Sequence, residues 1–597
     1  MFSDLKSAFR QLIKNPGFSA GVILILALGI GANVTEFSLT NAVLLKPLPW
    51  PQADRLSYVW YTDPLQGWPL APISIPGYLD CKGQTDVFED ALLYKVAIYD
   101  LATGPRPEPV FGLSVTRSFF STLDIQPMLG RAFTADETVP GRDKEVIISF
   151  ELWQTQLGGR SDILGSNLRL NGENYQVVGV MPKDFVSPRA GLGRISDVKA
   201  GIWVPYAFTP YQTTDGERGN WNSIMIARLK PGITVPQAQQ AVDLVQQHTA
   251  ERTKDNQPSR KEGGFGCVVV NYREQNVQET RSMLLILQAT VALVLLIACG
   301  NVTNLLLARA NARTKEIAIR LALGAGRWRL ARQIFTENML LVMIGGGFGV
   351  LVGDWGLKLL KWFPSLPNDQ AIVIDGSVLG FSLALSLASG LLVGGVLVAS
   401  LWWRGSGDGW REGNVRGSAG RSAGLTRGTL IVGEVALALM LLVASGLTLK
   451  SFAKLQAVQP GFNAESILTA QLSLPVATYK DGQTQNAFFA EALRRLRSLP
   501  GVKSASVTTQ LPFGGMIGTG SYSIEGLARR RPDEPGLNAH LRGIDSNYFK
   551  TMQIPLVRGR LFSDADTAQA PLRAAAATSY RTGRLKTVQR RACKIWT

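Results

Sequence analysis

Histidine is almost missing from this chain: His248 and His540 are the only two, far apart, with no carboxylate or cysteine cluster beside either. That leaves no visible metal site, and no Ser/His/Asp arrangement can be placed. Cysteine is scarce too. Cys81, Cys267, Cys299 and Cys593 are scattered, and Cys299 lies in an apolar run. Cys81 and Cys267 share one polar stretch, where two separate thiols are the simpler reading and pairing is the alternative. The phosphate-loop pattern G-x-x-x-x-G-K-[ST] is absent, so ATP is not bound in that manner. Gly29 and Gly31 in ALGIGAN lie in an apolar run and carry no nucleotide reading. No enzyme activity and no cofactor are expected of this chain.

Charge is also thin, at 18% of residues against 46% hydrophobic, and the mean hydropathy lies just above zero. Acids number 45 and bases 62, giving a formal net charge of +17. A nucleic-acid surface would interleave such charge with aromatics along a stripe. Here Lys and Arg gather beside apolar runs and near the C-terminal residues, so membrane orientation accounts for them and no nucleic-acid partner is expected.

What is there is five runs apolar enough to cross a bilayer: residues 18–45, 283–307, 334–353, 378–401 and 428–449. Residues 1–17 precede them as an amphipathic helix, with Phe2, Leu5, Phe9, Leu12 and Ile13 on one face and Lys6, Arg10 and Lys14 elsewhere; it should lie on the inner membrane surface. The run 18–45 is too long for a cleavable signal and reads as a retained anchor. Two carboxylates fall inside spans. Glu36 sits toward the outer end of the first, where it should reach water, and Glu434 sits near the cytoplasmic edge of the fifth, where pairing with a neighbouring helix or snorkelling is favoured over a proton relay. Gly345, Gly349 and Gly353 repeat every fourth residue, as do Gly390 and Gly394, the spacing that lets helix backbones approach closely in lipid.

Orientation comes from residues 309–333, RANARTKEIAIRLALGAGRWRLARQ, which carry seven Lys/Arg and one Glu between the second and third spans. Basic residues so near span ends stay cytoplasmic. Ile317, Leu321 and Ala325 share one helical face, Arg313, Arg320 and Arg327 the opposite one, and Gly324 and Gly326 then break the helix. The segment reads as a membrane-surface helix or as a docking helix for a cytoplasmic partner. Residues 402–427, rich in Gly and Ser with five Arg, read as a flexible cytoplasmic linker.

Residues 46–280 and 450–570 then face away from the cytoplasm. In the first, β-rich runs (145–148, 175–180, 224–229) alternate with turn signals at Asn171-Gly172 and Pro231-Gly232, and 236–248 reads as a helix. The fold class is an α-helical membrane protein of about five spans with α+β extracytoplasmic domains.

The wording RTKEIAIRLALGAGRWRLARQIFTEN (313–338) resembles the signature of the MacB/FtsX-like ABC transporter permeases. VTRSFFSTLDIQPMLGRAFTADE (115–137), YQVVGVMPKDF (175–185) and ARLKPGITVPQAQ (227–239) resemble that family's extracytoplasmic porter domain, with Phe119, Phe120, Gly130 and Phe133 as packing and turn positions. The resemblance implies a permease subunit of the bacterial inner membrane, with a cytoplasmic N-terminus, that couples a partner ABC ATPase to the exported domain. Ile317 and Leu321 would make the apolar contact with the ATPase; Arg313, Lys315, Glu316 and Arg320 would rim it. Further partners implied are the lipid bilayer and a membrane-fusion protein or second permease. The alternatives are a non-transporting scaffold or signalling protein and a non-functional fragment.

IDSNYFKTMQIPLVRGRLFSDAD (544–566) repeats the 115–137 motif at a constant offset, with Phe549, Ile554, Gly559, Arg560 and Phe562 standing where Phe120, Ile125, Gly130, Arg131 and Phe133 stand. The resemblance therefore narrows to the acidobacterial-type duplicated permeases. Residues 571–597 depart from it: residues 572–597 carry seven Lys/Arg, no acid and no strand pattern. A truncated or frame-shifted second half is expected there, with a basic interaction tail as the alternative. The expected layout is an amphipathic helix (1–17), a first span (18–45), a porter domain (46–280), an FtsX-like membrane domain (281–401), a linker (402–427), a fifth span (428–449), a partial second porter-like domain (450–570) and the tail (571–597).

Overall fold

The computed structural model describes residues 9–10, 12–46, 49–64, 68–102, 107–188, 199–253, 265–312, 327–360, 362, 372–404, 419–458, 460–472, 474, 478–479, 481–512, 518–521, 523–524, 538–563, 565–566 and 593–594. Most of the amphipathic face at 1–8, Pro364, Pro367, Asp369, most of the 402–427 linker and nearly all of the basic tail lie outside the described residues. The chain forms two compact units, Met1–Pro47 with Asn276–Val458 and Leu48–Gln275 with Gln459–Thr597.

The second unit contains a sheet domain that runs β1 (Leu56–Asp63), β2 (Trp68–Ala71), α1 (Ile75–Lys82), β3 (Phe88–Leu101), β4 (Glu108–Val115), α2 (Ser118–Leu123), β5 (Leu129–Gly130), β6 (Glu145–Ile148), α3 (Phe150–Thr155), β7 (Asn167–Leu170), β8 (Glu173–Val180), β9 (Ile202–Pro205), β10 (Ile224–Leu229), α4 (Val235–Arg252) and β11 (Gly266–Asn271). Its eleven strands follow the order β11-β1-β10-β3-β4-β9-β6-β8-β5, with β2 on β1 and β7 between β3 and β8. Pairing is antiparallel except for β4 with β9 and β6 with β8. The runs expected at 145–148, 175–180 and 224–229 are strands, and the helix expected at 236–248 extends to Val235–Arg252.

Central strands are buried on both faces, because side chains alternate and each face has its own cover. Along β1, Tyr58 and Trp60 enter one core with Phe119, Phe120 and Trp203, while Val59 and Tyr61 enter another with Tyr78, Val242 and Cys267. Phe119, Phe120 and Phe133 are core residues. Asn171 and Gly172 both have positive φ (51° and 84°), the conformation a two-residue hairpin needs to match strand twist, and they join β7 to β8. Gly130 has φ 78°, and a Cβ there would strike the Val178 carbonyl.

Arg228 on β10 is almost fully buried. Its guanidinium donates to the carbonyls of Thr122 (2.9 Å) and Pro51 (3.1 and 3.2 Å), tying the end of α2 to the turn that precedes β1. Burial, then the nearby Arg55 charge, pulls its pKa down. A buried cation persists only when its donors are used.

The repeated motif adopts one geometry in both copies. Arg131 clasps Glu137 through two bonds (3.0 and 2.5 Å) and donates to its neighbour's carbonyl at Ala132, while the Thr134 amide reaches Glu137 at 2.8 Å. Arg560 clasps Asp566 (2.8 and 2.6 Å), donates to Leu561, and the Ser563 amide reaches Asp566 at 2.9 Å. Ile125 and Ile554 donate their amides to Phe120 and Phe549. Asp124 and Gln553 share positive φ, as do Gly130 and Gly559.

Replacing Arg228 with Met would preserve volume but remove the guanidinium donor from the buried Thr122 carbonyl. It should cost about 2 kcal/mol, read as a lowered thermal midpoint of the purified chain. Burial by itself would raise the Glu137 carboxyl; the bonds from Arg131 and Thr134 outweigh it and hold the group below its ordinary value. The depressed group stabilises the fold above the unfolded pKa of about 4.3, and that gain disappears as pH falls through the lower folded value. Glu137→Gln should therefore lower the midpoint at pH 7 by the equivalent of about 1 kcal/mol. Melts repeated at falling pH should show the two proteins converging below roughly pH 4.

Candidate functional site

Among the described residues, five helices of the first unit are long and apolar enough to cross a membrane: Pro16–Leu45, Thr280–Ala310, Ala331–Leu360, Gly376–Ala399 and Arg427–Gln456. The second of these spans belongs to one unbroken helix, Tyr272–Ala312. The third belongs to Arg327–Leu360, longer than the 334–353 run at both ends, and in its C-terminal extension Asp354 and Lys358 pair along the helix (2.6 Å). Residues 313–326 between them lie outside the described residues. Arg313, Lys315, Glu316, Ile317, Arg320 and Leu321 are therefore not placed.

What is placed is the packing that brings the two ends of that connection into position. Apolar side chains gain nothing from leaving lipid tails, so helices associate by close fit. A Cβ on Gly345 would meet Leu26, one on Gly349 would meet Ile30, and one on Gly353 would meet Val34. The third span thus offers three bare positions to three side chains four residues apart on the first. The fit is reciprocal, since a Cβ on Gly31 would meet Val352. Thr35 seals the seam by donating to its own Gly31 carbonyl and to that of Gly353 across it (2.9 and 3.3 Å). Gly390 and Gly394 of the fourth span receive Met339 and Phe335 of the third, and Asn338 donates to the Gly390 carbonyl (3.3 Å).

The second span is fastened by Asn33, which sequence reasoning passed over. Its amide donates to the Gly29 carbonyl in its own helix and to that of Val291 (both 2.9 Å). A polar residue midway along an apolar run was the available signal. Near the other end of the first span, Asp375 caps the fourth: it accepts from the Val378 amide (3.0 Å), pairs with Lys46 (3.1 Å) and accepts from Asn41 (3.2 Å). The Val378 amide and then Lys46 and Asn41 hold its carboxyl below the usual range against a small burial penalty.

The intramembrane carboxylates differ from each other. Glu36 does not reach water: it is only 3% exposed, with one oxygen accepting from Thr40 (2.6 Å) and the other unpartnered. Glu434 of the fifth span accepts from Asn304 of the second (2.9 Å) and closes over Gly300. At the end of the second span, the Arg309 guanidinium lies 4.7 Å from the Phe18 ring centre. None of these groups forms a reacting constellation, and no cluster able to hold a metal occurs among the described residues.

A bundle of spans joined in sequence to a large α+β domain defines a multi-pass membrane protein that carries a large folded domain. Residues 19–245 match the family model for the MacB-like periplasmic core domain, and residues 289–405 match that for the FtsX-like permease C-terminal region. The macrolide export ATP-binding/permease protein MacB of Neisseria meningitidis serogroup A is 30% identical over 284 residues, 47% of this chain and 40% of the relative. The protein of the same name from Chlorobium luteolum is 27% identical over 248 residues, 41% of this chain and 35% of the relative. The crystal structure of the periplasmic region of MacB from Actinobacillus actinomycetemcomitans shares 10% identity, covering 38% of this chain and 94% of that one, with a TM-score of 0.27. The chain belongs to the MacB/FtsX-like ABC transporter permeases. It spans 40% of the length of the Neisseria relative.

The glycine seam makes its own test. Gly349→Ala puts a methyl 2.9 Å from the Ile30 side chain, whereas Gly347→Ala, with nothing within 4 Å of the added methyl, adds helix propensity and meets nothing. The first should lower the detergent-solubilised melting midpoint by the equivalent of about 1–3 kcal/mol, and the second should leave it equal or higher.

Proposed function

We propose that this chain is the permease subunit of an ABC export system in the bacterial inner membrane. Its N-terminus and residues 309–333 face the cytoplasm, by the excess of Lys and Arg beside the second and third spans. A separate ATPase supplies the hydrolysis and docks on the connection, with Ile317 and Leu321 as its apolar contacts and Arg313, Lys315, Glu316 and Arg320 around them. A membrane-fusion protein or a second permease is the further partner class. Export is the direction by kinship, since the Neisseria relative is named for macrolide export.

One observation supports the reading above others. The helix Tyr272–Ala312 is continuous, and its two ends lie in two chemically different places. Tyr272 is a core residue of the sheet domain, stacked on Tyr58 (4.6 Å between ring centres) and edge-on to Trp50 (5.1 Å). Gln275, one turn on, accepts from the Trp60 indole (2.7 Å). Ala312 abuts the basic connection. A partner that moved the connection would therefore act on a helix seated at its start in the exported domain, which is what a coupler requires.

The test is physical association. Ile317→Asp combined with Leu321→Asp should reduce co-purification with the cognate ATPase at least about tenfold, two buried charges costing more than the 1.4 kcal/mol that a factor of ten represents. Membrane insertion should be unchanged. Undiminished binding would refute the docking assignment.

A further inference from the structure

We propose that Cys81 and Cys267 are joined by a disulfide in the exported protein. The inference rests on the extracytoplasmic placement of the sheet domain. Cys81 is in the last turn of α1 and Cys267 is the second residue of β11; they are separated by almost the whole domain in sequence and meet in one core. Both are fully or almost fully buried. Both are free thiols packed in that core, and a third element closes the group: Gln246 of α4 donates to the Cys267 sulfur at 3.0 Å.

The position gives the bond a purpose. β11 is the edge strand of the sheet, and it leads directly into the second-span helix at Tyr272. An edge strand leaves amides and carbonyls unpaired. Here Gln239 of α4 takes up two of them, donating to the Cys267 carbonyl and accepting from the Val269 amide (both 2.8 Å). A covalent link from Cys267 to α1 would fasten the same strand from the side-chain direction, at the point where the chain leaves the domain. Cross-linking so distant a pair removes a large loop entropy from the unfolded chain.

The chemistry balances as a dithiol oxidation. Two S–H bonds are lost and one S–S bond forms; the two electrons and, through solvent, the two protons pass to the disulfide of an exported thiol–disulfide oxidoreductase, whose S–S bond breaks and which leaves as a dithiol. Burial and the neighbouring Cys81 sulfur push the Cys267 thiol well up, so in the folded domain it is a poor nucleophile. Exchange must then occur while the domain is still closing after export, and the finished bond would be inert.

Cells producing the full chain are quenched in acid, denatured and alkylated with a maleimide-polyethylene glycol, with and without prior reduction. Two thiols, Cys299 and Cys593, should react before reduction and four after it. Cys81→Ser and Cys267→Ser should each give three in both conditions. In parallel, Tyr211→Cys on the exposed surface of the domain is probed in intact cells with a membrane-impermeant sulfonated maleimide. Four reactive thiols without reductant, together with a labelled Tyr211→Cys, would overturn the cross-link alone. An unlabelled Tyr211→Cys would overturn the exported placement and the cross-link with it.

Discussion

Close approach of backbones is the constraint on which the membrane unit depends. Inside lipid an apolar side chain is as well solvated by acyl tails as by another helix, so burial of Leu or Val does not select one arrangement. Shape does. Gly345, Gly349 and Gly353 receive Leu26, Ile30 and Val34, and Gly31 receives Val352 in return. Because the third span begins directly after the basic connection, the same seam that fixes it against the first also fixes where one end of the connection must lie. Asn33 does the corresponding work for the second span, whose last residues form the other end.

The soluble part is governed by a different rule, satisfaction of polar groups as they leave water. Arg228 is tolerated in a core because its guanidinium is bonded to carbonyls at the end of α2 and in the turn before β1. The two clasped loops show how tightly that rule specifies a motif. Glu137 in one and Asp566 in the other differ by a methylene, yet the arginine, the amide three residues before the acid and the carbonyl after the arginine are bonded alike in both. The local geometry belongs to the motif itself. Its cover does not: Phe120 is fully buried beneath the sheet, whereas Phe549 is half-buried.

These differences explain what could be read in the sequence. The five spans were legible because a bilayer demands length and apolarity within one segment, which needs no partner to recognise. The turn at Asn171-Gly172 was legible because its backbone angles belong to two residues. The strands β1 and β3 were not singled out, since strands covered on both faces lose the alternation that marks a half-exposed strand. Glu36 was expected to reach water because its place along the span is legible in the sequence whereas the burial of its side chain depends on how the spans pack, and Arg228 was passed over because nothing local separates a buried arginine from a surface one. The meeting of Cys81 with Cys267 depends on the whole intervening topology. The residues expected to touch the ATPase lie outside the described residues, so their reading still rests on the pattern of the connection and its resemblance.

The helices of the bundle are held by two kinds of joint, and the distinction bears on how motion would pass through it. The first and third spans interlock along three successive turns; to slide one past the other, every seated side chain must be withdrawn together. The fifth span has no such seam. Leu430 packs at the edge of the apolar cluster, and Glu434 accepts a bond from Asn304, while Val432, Val435, Leu439 and Leu442 are exposed. A single polar bond can be exchanged for another one at a time, and a close-packed seam cannot. A bundle with two arrangements would therefore keep the first and third spans as one body and remake its contacts around the fifth.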